Sequence, residues 1–232
     1  VDNNQGEALG LASPWGLSIY VQASSCRFLF DADGSPEVLR RNAEILDINL
    51  SDLDFVVVSH EHGDHVSGLA LIAKLRPGCR VYVPAGMAEE VKRYIAELGL
   101  EVYEVEETMV VAEGVAIIGQ LYGPPFEQAV AIKVANLGLI ILVGCSHPSV
   151  ENFVQKAKEE LGAEVHAVMG GFHLTNADPQ RLEYTLNALV ESDVKQIYPI
   201  HCSGDAFREL AKLKHPERYG GGYVGLNVSF KA

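Results

Sequence analysis

The chain has 232 residues, 18 basic side chains against 31 acidic ones, a formal net charge of −13 and 48% hydrophobic residues. That length can bury a large core, with residues 1–232 read as one domain, and the charge sets the general surface against nucleic acid and anionic membranes, leaving a small molecule as the expected partner. The four cysteines, Cys26, Cys79, Cys145 and Cys202, show neither CxxC spacing nor a disulfide framework. No apolar run approaches the ~20 residues of a membrane span and no signal peptide is visible, so a reduced, cytoplasmic setting is expected.

Leu17 to Gln22 and Arg27 to Asp31 read as two strands around a Ser24-Ser25 turn, and Pro36 to Leu46 as a helix. Phe55 to Ser59 is a strand whose Val56, Val57 and Val58 suit a buried sheet, and Val66 to Leu75 carries a helical period. Arg80 to Val83 reads as strand, Ala88 to Leu98 as a helix stopped by Gly99, and Val102 to Val105 and Val115 to Gln120 as strands. The chain breaks at Gly123-Pro124-Pro125. It resumes with Ala129 to Val134 and Leu139 to Val143, joined by Asn136-Leu137-Gly138 as in a hairpin. Val150 to Leu161 is helical, Val165 to Met169 a strand, Pro179 to Val190 a helix and Gln196 to Pro199 a strand. Ala206 to Leu213 follows, and Val224 to Phe230 reads as a last strand beyond Tyr219-Gly220-Gly221-Gly222-Tyr223, which is either a turn or a flexible lip of a pocket. This alternation defines an α/β protein and fits either a doubly wound sheet or two sheets enclosed by outer helices.

The least accidental stretch is Val56 to Gly68, where His60, His62, Asp64 and His65 stand in a strand-to-helix loop, the place where α/β proteins assemble sites. Imidazole and carboxylate are ordinary ligands of zinc, iron and manganese, and alternate residues leaving an extended strand can aim at one centre. His60 and His62 suit one metal; Asp64 and His65 suit a second, or share one through a water. His201 and His147 also follow apolar strands and are further ligand candidates. His173 follows Gly170-Gly171, where the missing Cβ lets a substrate come close, and is either a site residue or a structural one. His166 alternates with core residues and His215 precedes a proline, so both read as structural or solvated.

His60-Glu61-His62-Gly63-Asp64-His65 matches the HxHxDH signature of the metallo-β-lactamase superfamily, and the chain resembles that superfamily almost from Val1 to Phe230. Phe30-Asp31-Ala32-Asp33-Gly34 is similar to its early strand with an aspartate-glycine turn. Tyr198 to Gly204 is similar to its late strand ending in a ligand histidine. Val1-Asp2-Asn3-Asn4, Gly144-Cys145-Ser146-His147 and Gly170-Gly171-Phe172-His173-Leu174 resemble one branch. Its named member is a synthase of methanopterin biosynthesis that joins a dihydropterin to a ribofuranosyl-aminobenzene phosphate.

The resemblance implies an αββα sandwich carrying one or two divalent metal ions, zinc first with iron or manganese as alternatives, held by His60, His62, Asp64, His65, His147 and His201. One departure stands out: no histidine occurs between His65 and His147, and Gly144-Cys145 falls where a glycine-aspartate is expected. His147 then takes the missing histidine's role, with Cys145 or Ser146 at the bridging-carboxylate position. Asp31 is either the acceptor for a ligand histidine's free N–H or a turn residue. A divalent cation lowers the pKa of bound water to about 7. The expectation is therefore a metal-dependent hydrolase acting on a small phosphorylated or ester-like substrate, with Asp64 orienting or deprotonating the water. The alternatives are a lyase or transferase like the pterin synthase, and a non-catalytic metal-binding module. Flavodiiron members carry glutamate where this chain has His62, which argues against redox iron chemistry.

Overall fold

The computed structural model describes residues 1–6 and 10–231. Strands β1 (Ile19–Gln22), β2 (Arg27–Phe30), β3 (Phe55–Val57), β4 (Arg80–Pro84) and β5 (Glu101–Val105) form one sheet in sequence order, with only the β1–β2 pair antiparallel. Strands β6 (Met109–Ala112), β7 (Val115–Tyr122), β8 (Phe126–Val134), β9 (Gly138–Val143), β10 (Val165–Gly170) and β11 (Gln196–Pro199) form the second, in the order β11-β10-β9-β8-β7-β6. There β9, β10 and β11 run parallel, and β6 to β9 form an antiparallel meander.

Side-chain alternation decides how these sheets stack. Phe28, Phe30, Phe55, Val57 and Tyr82 leave the inner face of the first sheet and meet Val115, Ile117, Val130 and Leu142 of the second. Phe28 stacks on Phe55 at 5.1 Å between ring centroids, an offset consistent with favourable aromatic packing. The intervening residues face outward. Leu29, Val56 and Val81 pack under the helices α1 (Pro36–Ile45), α3 (Leu69–Leu75) and α4 (Glu89–Glu97). Ile141, Val143 and Val168 pack under α5 (Val150–Leu161), α6 (Pro179–Glu191) and α7 (Asp205–Lys214). The layers are therefore helix, sheet, sheet, helix: the αββα sandwich and not the doubly wound sheet. None of the helices among the described residues is long and apolar enough to cross a membrane.

Local chemistry sets the helix boundaries. Ser35 accepts from Val38 N ahead of Pro36, and Asp178 accepts from Arg181 N at 2.8 Å ahead of Pro179, the side-chain cap and first-turn proline that start a helix. Helix α5 ends on Gly162 at φ +60°.

Three expectations are corrected. Strand β6 is absent from the sequence reading because Met109 and Val110 are exposed on a sheet edge and leave no buried face to detect. Val224 to Phe230 forms no strand. Its Leu226, Val228 and Phe230 lie over Ile140, Ala167 and Tyr198 on the sheet face, so the period of two survives while the backbone has no edge to pair with. Asp64 and His65 are not in an open loop: they belong to a one-turn helix, α2 (Gly63–Val66).

The two sheets are fastened together beneath that turn. Gln128 of β8 donates its backbone N–H to Ser59 O and its side-chain amide to Val58 O and Tyr82 O. The carboxyl ends of β2 and β3 in one sheet, and of β9, β10 and β11 in the other, consequently open onto the same place.

Candidate metal centre

Five histidines converge there from three directions. His60, His62 and His65 follow β3, His147 follows β9, and His201 follows β11. Their rings are neighbours: His60 to His65 at 4.1 Å, His60 to His147 at 4.7 Å, His62 to His147 at 4.9 Å and His65 to His201 at 5.1 Å between centroids. His166 and His215 are occupied elsewhere, by Phe230 and Glu217.

The hydrogen bonds fix which nitrogen each ring turns inward. Asp31 is fully buried and accepts from Ser59 N at 2.7 Å, Ser59 Oγ at 2.8 Å and His65 Nδ1 at 2.7 Å. Because the Ser59 hydroxyl proton is committed to Asp31, its oxygen accepts the Nδ1 proton of His60 at 2.8 Å. Glu127, also fully buried, accepts His147 Nδ1 at 2.8 Å together with the backbone N–H groups of Ser146 and His147. Asn3 Oδ1 accepts His201 Nδ1 at 2.7 Å, and Asp2 accepts His201 N. Each of these four imidazoles therefore has its Nδ1 proton tied outward and its Nε2 turned into the cluster, the orientation that a ligand histidine requires. His62 differs by turning Nδ1 toward His60 Nε2, at 3.0 Å.

Two sulfur and carboxylate donors complete the cluster. Cys145 Sγ lies 3.3 Å from His65 Nε2. Asp64 Oδ2 lies 3.5 Å from His65 Nε2 and 3.4 Å from His201 Nε2. The donor atoms of His60, Cys145 and His147 fall within 4.8 Å of one another, as do those of His65, Cys145 and His201, so Cys145 is common to both groups. Ser146 commits its hydroxyl proton to Gly171 O at 2.7 Å. The cysteine fits only because residue 144 is glycine: a Cβ there would overlap Ser59 and come within 2.9 Å of Glu127 Oε1.

Electrostatics follows from this packing. Burial, then the neighbouring imidazoles, hold His60 well below the ordinary histidine value, and burial followed by His147 lowers His62. Burial also opposes charge on His65, but the adjoining Asp31 carboxylate outweighs it and carries the pKa up to about 9. Burial would raise Asp64, yet His201 and His65 keep it well below the usual carboxylate range. The Cys202 sulfur, then burial, push the Cys145 thiol up, a penalty that a coordinated cation removes by deprotonating the thiol outright. The donor set fits a divalent cation. His201 Nε2 is buried without a hydrogen-bond partner among the described residues, an uncompensated cost unless something positive sits before it.

His173 lies beside this cluster with its ring 4.6 Å from that of His147, exposed at the surface and in contact with Cys202. Asp31, Ser146, His173 and His201 all have φ between +50° and +60°. Left-handed backbone at four non-glycine residues around one centre is strain of the kind functional sites retain.

The residues named from sequence meet in one place, in two sets: His60, His62 and His147 on one side, Asp64, His65 and His201 on the other. Asp31 is both a left-handed turn residue and the acceptor for His65. Glu127 and Ser59 carry no role in the sequence reading. The signal for Glu127 is the charged-polar pair Glu127-Gln128 inside an otherwise apolar strand, whereas Ser59 gives none.

Comparison with known proteins bears on the fold and on the motif that carries the first three histidines. The family model for the beta-lactamase superfamily domain matches residues 27–122, which include the His60 to His65 motif. The chain is 29% identical to the 7,8-dihydropterin-6-methyl-4-(beta-D-ribofuranosyl)-aminobenzene-5'-phosphate synthase of Methanocaldococcus jannaschii, over 94% of this chain and 90% of that protein. Among solved structures, a metal-dependent hydrolase of the beta-lactamase superfamily superposes with a TM-score of 0.84 at 22% identity, covering 100% of this chain and 97% of that one. A diphosphatase of the PhnP family gives 0.63 at 16% identity, over 94% and 85% of the two chains. The HxHxDH turn thus lies in the part of the chain that matches the beta-lactamase superfamily domain, and the αββα layers are those of the metallo-β-lactamase fold.

Proposed function

We propose that this protein is a metal-dependent hydrolase of small phosphorylated or ester-like substrates. The observation that carries the reading is the inward set of His60, His62, His65, His147 and His201 nitrogens around Cys145 and Asp64, every Nδ1 but that of His62 being tied to a protein acceptor. In this reading His60, His62, His147 and Cys145 hold one divalent cation, and His65, His201, Asp64 and Cys145 a second. When bound there, such a cation lowers the pKa of coordinated water to about 7 and polarises a phosphoryl or carbonyl oxygen.

The chain's own groups do the rest. Asp64, held ionised by two imidazoles, accepts a hydrogen bond from the attacking water and orients it; so acidic a group is a poor store for the proton itself. His173 stands exposed beside His147, where it can donate a proton to a departing oxygen. His173→Ala is expected to leave metal content unchanged while lowering kcat by about 10²–10⁴-fold. Elemental analysis and turnover on the same sample check this; metal loss would make His173 a ligand.

A second reading is favoured by the similarity to the methanopterin-pathway synthase over 94% of the chain. In that reading the same centre would stabilise the anionic charge of a leaving group as the amine of a ribofuranosyl-aminobenzene phosphate displaces a phosphate from a phosphorylated dihydropterin: the C–N bond forms, the C–O bond to that phosphate breaks, the amine proton leaves with it, the ribose 5'-phosphate is kept, and no water attacks. Metal per chain, with phosphoesterase turnover before and after chelation and metal return, separates the two. About two equivalents with chelator-sensitive hydrolysis supports the hydrolase. Metal with no ester hydrolysed, and pterin consumed, supports the synthase. His60→Ala and His62→Ala should each bind well under the wild-type metal content with the circular-dichroism spectrum retained; full metal content in both would remove either reading.

A further inference from the structure

Trp15 is the sole tryptophan of the chain, and 55% of it is exposed. It is not on a remote surface. Its ring lies 4.9 Å from that of His201, tilted by 50°, and the segment carrying it is fixed to the turn that presents Asp64. Leu17 N donates to Asp64 O at 3.2 Å and Leu17 O accepts from Asp33 N at 2.8 Å, while Leu17 itself is fully buried. Gly16 permits this approach: a Cβ there would overlap Asp33 and come within 3.0 Å of Gly34 N and 3.2 Å of Asp64 O. A large apolar ring is thus held at a set distance from the reacting groups, one part against a ligand candidate and the rest facing water.

An indole fixed in this way costs hydration free energy and adds nothing to the core, but it offers a flat π face where a substrate must pass. We propose that Trp15 is a stacking platform, and that the substrate class is a phosphate ester bearing a planar aromatic or heteroaromatic ring. The inference rests on the preceding reading that the centre acts on a phosphoryl or ester group; a ring stacked on Trp15 would flank that group from the His201 side. Stacking on an aromatic side chain is worth about 1–3 kcal/mol per ring, equivalent to roughly 5- to 150-fold in affinity.

The test uses non-hydrolysable probes on the metal-loaded protein: phenylphosphonate, methylphosphonate and a neutral pterin, each titrated by calorimetry, with the emission of Trp15 followed for the two phosphonates. Phenylphosphonate is expected to bind about tenfold tighter than methylphosphonate and to change the emission, which methylphosphonate does not. Trp15→Phe should keep most of that preference. Trp15→Ala should abolish it while leaving methylphosphonate affinity and metal content as in wild type. Equal affinity for both phosphonates in wild type, or a preference that survives in Trp15→Ala, overturns the platform. If neither phosphonate binds but the pterin does so in a Trp15-dependent manner, the platform stands and the phosphoester reading falls. If no aromatic probe binding depends on Trp15, the platform falls whatever the phosphonates do.

Discussion

Cys145→Ala is expected to reduce the metal retained after dialysis against a weak chelator by about half or more, because one thiolate serves both donor groups. Removing any single histidine weakens one group; removing Cys145 weakens both. Cys145→Asp should behave differently, since it restores a carboxylate and keeps an anionic donor between the groups. It is expected to bind metal but to shift preference from zinc toward manganese, in line with the harder oxygen ligand. Cobalt substitution gives a direct optical readout. The wild-type protein should show a near-ultraviolet sulfur-to-cobalt charge-transfer band that both variants lack. An unchanged band and unchanged metal content in Cys145→Ala would show that the thiol is not a ligand.

The second large effect is expected at Glu127. Its two oxygens take three N–H groups, from Ser146, His147 and the His147 ring, in a place with no access to water. Glu127→Ala leaves those donors buried and unpaired, so a loss of about 3–5 kcal/mol in unfolding free energy is expected. Glu127→Gln keeps the shape but replaces one acceptor oxygen with an NH₂ group facing N–H donors. The NH₂ group faces either Ser146 N, leaving that donor unpaired, or the His147 side, where the ring loses its Nδ1–H acceptor; in both cases the charge behind His147 is gone, and metal affinity should fall by about 10–100-fold with the fold intact. The acid side provides an independent check. Burial opposes ionisation of Glu127, but its bonds to His147 and the backbone outweigh this and depress the folded pKa below the ordinary 4.5. The carboxylate's contribution is therefore complete above pH 4.5 and is lost as pH falls through the lower folded value. The stability gap between wild type and Glu127→Gln should narrow as the pH is taken below 4.5; a gap independent of pH there would mean that Glu127 is not ionised in the folded protein.

Periodicity was most legible where one face of an element is buried. The Phe55 strand, the helices from Pro36 and Pro179, and the hairpin around Asn136 announce themselves because apolar alternation and caps agree. β6 does not, since an exposed edge leaves Met109 and Val110 without a pattern. The tail from Val224 shows the opposite error: its alternation reflects packing over a sheet face, and packing alone does not make a ladder. At the site, the His60 to His65 turn is dense enough to read in isolation, but the supporting acceptors are scattered along the chain. Asp31 is legible as one of two readings, an acceptor or a turn residue, whereas Ser59 and Glu127 look ordinary in their own segments and acquire a role only in the fold.

That scattering has a kinetic meaning. The bond from His201 N to Asp2 closes a separation of 199 positions, the Cys145–His65 contact one of 80, and the His65–Asp31 bond one of 34. Closing loops of that length costs chain entropy before the contacts repay it, so the parts of the cradle that need both sheets in place, around Cys145 and His201, are expected to form late in folding. The local run from His60 to His65 supplies only part of either donor group, so a cation gains its full ligand set only after the fold has brought in Cys145, His147 and His201. The polypeptide must find its topology unaided and recruit the ion afterwards, and the ion then acts by mass action on an already folded state, slowing unfolding while leaving the refolding rate unchanged.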